Sequence, residues 1–305
     1  MSDPIEHFRL TIAAAGMEAP DNINPDGVIH RFSTNGKRGD DSGWYVLHTD
    51  GIPAGAFGCW RTGLQSNWCA KSDKAMTDAE RVAHRQRIDA MKAQREASLR
   101  ATQQQASRTA AALWQQTTPA TAAHEYLTRK GVQPLGVRFD GHRLIIPMRD
   151  TAGTLHSLQT ITSEGDKRFH PGGRVKGCYH AIGGKPDGVL VIAEGYATGA
   201  SIHEATGLPV AVSFNAANME PVAVALHKAY ADLLLVMAAD DDYLSPGNPG
   251  LTAAKQAALA VGGIVVVPQF PARRPGKATD FNDLAVLAGL SAVRACFFEI
   301  EVLSC

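Results

Sequence analysis

The chain has 305 residues, 45% of them apolar and 20% charged, with 30 basic and 30 acidic side chains. That is the composition of a globular protein of about two domains. No apolar run approaches the roughly 20 residues that span a bilayer as a helix, which excludes a helical membrane protein.

The neutral sum hides an asymmetry. Residues 1–109 carry 14 basic and 13 acidic side chains, residues 110–185 carry 10 and 5, and residues 186–305 carry 6 and 12. A basic middle beside an acidic end suits a path for a polyanion leading to a cation-binding centre. The N-terminus holds Asp3, Glu6 and one arginine before a short Ala-rich stretch. It lacks the basic flank and apolar core of a signal peptide, so the cytoplasm is the expected location. The five cysteines, Cys59, Cys69, Cys178, Cys296 and Cys305, are odd in number and form no CxxC pair. Reduced thiols are expected, with neither a disulfide framework nor a zinc site.

In chain order, residues 24–70 read as a small β-rich unit. Its strand-like segments are Val28–Thr34, Gly43–Thr49 and Gly55–Thr62, separated by turn signals at Asn35-Gly36, Asp50-Gly51 and Pro53. Residues 77–115 read as one helix. Thr77 and Glu80 have capping-box spacing, and the stretch to Gln116 has no Gly or Pro. It could reach about 57 Å. Its apolar positions are sparse, which predicts a solvated connector or a partner-binding helix, ended by Pro119. A helix at Thr121–Lys130, strands at Arg143–Met148 and Thr154–Ile161, and a Gly-rich basic loop from Asp166 to Gly177 follow.

From Val189 the pattern alternates. Strands are predicted at Val189–Ala193, Val210–Ser213, Leu233–Ala238 and Ile264–Val267. The helices between them run to Thr206, over Glu220–Tyr230 and over Pro249–Val261. Fully apolar strands alternating with helices indicate a parallel sheet covered on both faces, with ligands at the C-terminal strand ends. Those ends are acidic. Glu194-Gly195 follows the first strand, Asp240-Asp241-Asp242 the third, and a loop with Asp280, Asn282 and Asp283 the fourth. Each group has a structural reading: Glu194 at a helix N-terminus, the aspartate run as a solvated turn, and Asp280 as an N-cap. All three at one sheet edge favour a hard cation such as Mg²⁺, which selects carboxylate oxygens, because carboxylates so close would otherwise repel.

These strings resemble known motifs. The run from Val191 to Gly199, a buried strand ending in Glu194-Gly195, is similar to the first motif of TOPRIM domains. Asp240-Asp241-Asp242 is similar to their DxD motif, with Asp240 and Asp242 in the acidic positions. Ser213–Asn218 sits where that family has a small-residue turn, and Thr279–Leu284 resembles the closing element of phage and plasmid TOPRIM primases. Upstream, His124–Val132 resembles the YLxxRG stretch of bacterial primases, and Arg143–Met148 with Gly153 their RxxxPI…G strand pair. Lys167 in Asp166-Lys167-Arg168-Phe169 resembles the lysine of their KY element, and Lys176–Tyr179 their KGxxLY element. The resemblance covers residues 120–290. The first 75 residues resemble the leader of primase-helicases from phages, plasmids and integrative elements, which implies a mobile-element origin.

The resemblance implies an α/β fold. A TOPRIM catalytic domain with a mainly parallel central sheet (residues 188–305) would follow a basic α+β primase subdomain (119–187), a helical connector (76–118) and the β-rich unit (1–75). It implies a DNA primase that makes RNA primers on single-stranded DNA from ribonucleoside triphosphates by metal-dependent nucleotidyl transfer. Glu194, Asp240 and Asp242 would serve in catalysis. With Asp280 and Asp283 as weaker candidates, they would also hold Mg²⁺ or Mn²⁺. Arg143, Lys167, Arg168 and Lys176 would bind nucleotide or template; for these basics a solvated surface role stays open. Two departures stand out: no CxxC/CxxH zinc module precedes the core, and no GxxxxGK[ST] loop is present. Unwinding would then fall to a separate replicative helicase. A TOPRIM nuclease, and a non-catalytic accessory that binds single-stranded DNA, remain the alternatives. A topoisomerase would need a tyrosine-bearing domain for which the chain leaves little room.

Overall fold

A computed structural model describes residues 3–71 and 76–303, without the side chains at 87, 91, 95 and 301–303. The chain forms two compact units, residues 1–97 and 98–305, and the division along the chain falls inside one long helix.

In the first unit, helix α1 (Pro4–Ala14) is capped by the Asp3 carboxylate, which accepts the Ile5 amide at 3.0 Å. An antiparallel sheet follows in the order β1 (His30–Phe32), β2 (Gly43–His48), β3 (Ala54–Cys59) and β4 (Leu64–Cys69). Period-2 alternation sorts its side chains. Tyr45, Leu47 and Phe57 are buried together with Phe8 and Ile12 of α1 and with Trp68. On the other face Trp44 packs on Trp60 at 5.6 Å. The sequence did not predict β4, because only Trp68 among its residues Leu-Gln-Ser-Asn-Trp-Cys is buried and they give no apolar alternation.

Helix α2 (Asp78–Gln116) begins at the expected box, with the Thr77 amide donating to Glu80 at 2.9 Å. It is not solvated throughout. Near its C-terminal end Ala110 is buried against Ile145, Leu155 and Leu158, and the Ser107 hydroxyl donates to the Leu155 carbonyl at 2.6 Å. Small residues leave a weak apolar stripe in the sequence, yet they permit the close approach that docks this end.

The second unit holds two sheets. The first is antiparallel, in the order β5 (Thr118–Pro119), β6 (Arg138–Phe139), β7 (Leu144–Arg149), β8 (Leu155–Ile161) and β9 (Lys167–Phe169). Helix α3 (Glu125–Lys130) starts four residues later than predicted, at an N-cap formed by His124. Strand β9 lies where a loop was expected. It pairs with β8 in the register Ile161↔Lys167 and Gln159↔Phe169 and forms the sheet edge. Backbone pairing, rather than apolar burial, makes this strand, since all three residues are exposed.

The last sheet has the order β10-β12-β11-β13-β14, made of β10 (His180–Ile182), β11 (Val189–Ala193), β12 (Val210–Val212), β13 (Leu234–Ala238) and β14 (Ile264–Val266). Four strands are parallel, and β10 is added antiparallel beside β12. Val191, Ala193, Val236 and Ala238 face one core with Tyr196 and Ala200 of α4 (Tyr196–Thr206), Phe281 and Leu284 of α7 (Phe281–Ala288), and Val293 of α8 (Leu290–Cys296). Leu190, Ile192, Leu235 and Met237 face the other core, with Met219 and Val222 of α5 (Ala216–Ala229) and Ala254 of α6 (Pro249–Val261). This is the doubly covered α/β arrangement that the unbroken apolar strands require. Helix α5 begins ahead of the predicted Glu220 and carries Pro221 within its first turns. The Asn215 side chain accepts the Asn218 amide at 3.0 Å and starts the helix earlier. Among the described residues no helix is long and apolar enough to cross a membrane.

Candidate active site

The C-terminal ends of the parallel strands open on a cleft lined by Glu194, Asp240, Asp280, Lys167, Lys130, Tyr126, Thr198 and Phe214, together with Gly195 and Ala197. Glu194 leaves β11 immediately before Gly195, the N-cap of α4, and no side chain caps that helix. Asp240 leaves β13. Asp280 is the N-cap of α7: its Oδ1 accepts the Asp283 amide at 2.8 Å, and its Oδ2 accepts the Thr198 hydroxyl at 3.1 Å. The structural reading of Asp280 is therefore correct, and the same carboxylate lines the cleft. Asp283 closes the capping box by accepting the Asp280 amide at 3.5 Å, the same oxygen also accepts the Thr279 amide at 2.9 Å, and its other oxygen lies 3.7 Å from Lys130 Nζ.

The electrostatics are those of charges held together against repulsion. Burial, followed by the charges of Asp280, Glu194 and Asp242, pushes the Asp240 carboxyl up to about 8, with Lys167 opposing. Burial and then the charge of Asp242 raise Glu194, again opposed by Lys167. Burial and Asp283 raise Asp280, while the Asp283 amide, Lys130 and Thr198 hold it back. Asp240 Oδ1 is buried with no hydrogen-bond partner. Buried acceptors are nearly always satisfied, so an orphan among mutually repelling carboxylates fits a place for a cation. The donor set is all hard oxygen, the kind Mg²⁺ and Mn²⁺ select. Among the described residues no three His, Cys, Asp or Glu side chains stand close enough together to hold a metal ion by themselves.

The acidic loop after β13 is fastened from three sides. The Asp242 amide donates to Asn248 Oδ1 at 2.8 Å, and Asp242 Oδ2 accepts the Gly250 amide at 3.0 Å. A Cβ on Gly250 would lie 2.7 Å from the Asp240 carbonyl and 2.9 Å from Asp242 Oδ2, so only glycine lets α6 approach this closely. Asp241 turns away from the cleft. It binds the Asn248 amide group and Arg274 through its carboxylate, and its own N–H donates to the Thr279 carbonyl at 2.8 Å. Arg274 also donates to the Asp241 carbonyl at 2.8 Å and the Ala278 carbonyl at 2.7 Å, and lies between the rings of Tyr243 and Phe270, 4.0 and 4.1 Å from their centroids. This one side chain ties the loop of Asp240 to the loop of Asp280.

The predicted residues are thus only partly brought together. Glu194, Asp240, Asp280 and Lys167 share the cleft, and Asp242 stands beside it close enough for its charge to act on both Glu194 and Asp240. Arg168 and Lys176 are exposed and do not line it. Lys176 precedes Gly177, whose amide donates to Asn218 Oδ1 at 2.8 Å; the buried Asn218 also donates to the Cys178 and Ser213 carbonyls, both at 2.9 Å. Arg143 stands before β7, engaged with Asp140 at 2.8 Å. The sequence reading missed Tyr126, Lys130, Thr198, Phe214 and Arg274. Tyr126 and Lys130 sit one helical turn apart on α3, a spacing that sequence can show; Arg274 gave no signal, since Asp241, the carboxylate it binds, lies 33 residues away.

Residues 189–291 match the Toprim domain family, and this segment of the chain is a Toprim domain. The chain is 39% identical over 288 residues to DNA primase TraC of Escherichia coli, a match spanning 88% of this chain and 26% of that protein. A second Escherichia coli protein of the same name is 35% identical, over 88% of this chain and 20% of its own length. The chain therefore spans about a quarter or less of these relatives. Among solved structures, the primase fragment of the bacteriophage T7 primase-helicase aligns with 59% of this chain and 74% of its own, at 16% identity and a TM-score of 0.45.

Proposed function

We propose that this chain is a DNA primase that synthesises RNA primers on single-stranded DNA from ribonucleoside triphosphates. The observation that carries the reading is the unpartnered, buried oxygen of Asp240 among Glu194, Asp242 and Asp280 at the strand ends of a Toprim domain. The relatedness to proteins named DNA primase supports it. Glu194, Asp240 and Asp242 would hold Mg²⁺ or Mn²⁺, with Asp280 beside them; Asp283, occupied by its capping bonds, would act through Asp280. The bound cation supplies charge compensation to the attacking and leaving oxygens.

The chain's own residues do the rest. In-line transfer of a nucleotide asks mainly for position and charge. Lys167 and Lys130 face the cleft and would neutralise the triphosphate, whose α-phosphate is attacked by the primer 3′-hydroxyl with departure of pyrophosphate. Arg168 and Lys176, exposed outside the cleft, would follow the template strand, with Arg143 as a more distant contact. Residues 119–187 and 188–305 would carry the chemistry, and residues 1–75 and 76–118 would recruit template or a separate helicase. Incubation with labelled ribonucleotides and single-stranded DNA, with Mg²⁺ and Mn²⁺ in parallel, tests the reading. Primers establish it. A shortened template would indicate a nuclease, and binding without either product an accessory protein.

A further inference from the structure

One aromatic pair beside the cleft is unexplained by the carboxylate chemistry. Phe214 follows β12 with φ +74° and is one of two described non-glycine residues in the left-handed region. A bulky residue rarely adopts that conformation, and such strain persists only where the surroundings enforce it. Here they do: the Phe214 amide donates to the Glu194 carbonyl at 2.8 Å, and the Ser213 amide to the Ala193 carbonyl at 2.8 Å. The turn thus binds Phe214 to the backbone of Glu194 and places its ring in the lining of the cleft.

The ring meets Phe169 edge to face, with centroids 6.2 Å apart and planes at 79°. Phe169 is 39% exposed and lies outside the apolar core of the unit. It ends β9, the edge strand, two residues after Lys167. Residues i and i+2 of a strand point to the same face, roughly 7 Å apart. An exposed ring therefore stands beside the cation that faces the carboxylates, at a spacing that suits a base and its own 5′-phosphate.

We propose that Phe169, braced by Phe214, is a stacking platform for a nucleobase whose phosphate reaches Lys167. The inference rests on the nucleotide-handling reading of the same cleft and adds the base to it. Aromatic platforms accept any base, because every base has a π-face. The shelf therefore sets affinity for nucleotides without selecting among them.

The test measures equilibrium binding, by calorimetry on the full chain with Mg²⁺, of ATP, of inorganic tripolyphosphate, of a single-stranded oligonucleotide, and of the same oligonucleotide with an abasic site. Phe169→Ala is expected to weaken ATP about tenfold while leaving tripolyphosphate unchanged. Phe169→Tyr is expected to retain the affinity and Phe169→Leu to lose it. A loss confined to the intact oligonucleotide would assign the shelf to a template base instead of the incoming one, and still support it. Equal losses for ATP and tripolyphosphate would overturn the proposal, as would full retention by the leucine variant. So would a wild-type chain that binds neither ATP more tightly than tripolyphosphate nor the intact oligonucleotide more tightly than the abasic one. Because binding is read directly, a chain that makes no primers yet shows the Phe169 effect would sink the primase reading and leave the shelf standing.

Discussion

Asp40 and Asp240 are two partly shielded aspartates in opposite circumstances. Asp40, in the loop before β2, has both oxygens occupied: the Thr34 amide and hydroxyl at 2.9 Å each, the Ser42 hydroxyl at 2.6 Å and amide at 3.2 Å, and Arg61 at 3.3 Å. Those bonds, the Ser42 hydroxyl first, hold its carboxyl well below the usual range. Asp240 has a buried oxygen with no partner and is pushed up to about 8. A carboxylate whose bonds are complete holds a loop in shape; one kept incomplete among like charges is held for something not part of the chain.

Exchanging each aspartate for asparagine breaks the comparison most sharply. Asp240→Asn is expected to abolish primer synthesis, by at least about a hundredfold in rate, while leaving the melting temperature unchanged or higher, since asparagine is neutral at every pH and adds nothing to the repulsion among Glu194, Asp242 and Asp280. Asp40→Asn is expected to lower the melting temperature with synthesis per folded molecule unchanged. Near-normal synthesis by Asp240→Asn would remove that residue from the metal-holding set.

Arg274 gives the next largest effect. Arg274→Ala deprives Asp241 of its partly buried partner and frees the two acidic loops from each other. It is expected to cost about 1–3 kcal/mol of stability and to weaken Mn²⁺ binding, read by electron paramagnetic resonance, several-fold. Arg274→Lys, which keeps the charge but lacks the planar fork, is expected to recover stability more than Mn²⁺ affinity. Equal recovery of both would make Arg274 a stabilising residue only.

The pH dependence of unfolding without divalent metal separates the two aspartates again. The folded chain keeps on Asp240 a proton that the unfolded chain releases near 3.8, so stability should fall as pH rises from 3.8 through about 8. Asp40 works with the opposite sign, its contribution being lost as pH falls through the acid range. Mg²⁺ should flatten the upper slope, and Asp240→Asn should diminish it. A metal-free profile level between pH 5 and 8 would count against the repelling set.

The smallest effect concerns residues 1–75. Most of their aromatics are inside: Phe32, Trp44, Tyr45 and Trp68 are buried, while Trp60 is 61% exposed, with Arg31 5.5 Å from its ring centroid. A chain beginning at Ser72 is expected to bind single-stranded DNA a few-fold more weakly, with a shallower salt dependence. Equal affinities and salt slopes would leave protein docking or a structural role for this unit.

What the sequence determined by itself is the Toprim core and its acidic edge. Unbroken apolar strands such as Val189–Ala193, alternating with helices, have few other ways to fold, because both faces of the sheet must be covered. Helix α6 was legible to the residue for the same local reason: Asn248 caps, Pro249 starts and Gly262 stops it. The tertiary structure alone decided the rest. Strands β4 and β9 exist through backbone pairing with neighbours, a force that leaves no apolar pattern to read. It also decided which charges meet: Lys167 joined the carboxylates while Arg168, the next residue, did not, because alternate strand residues face opposite ways. Arg274 was silent in the sequence because its partners, two aromatic rings and the backbone of two loops, converge only once the sheet has brought the strand ends together.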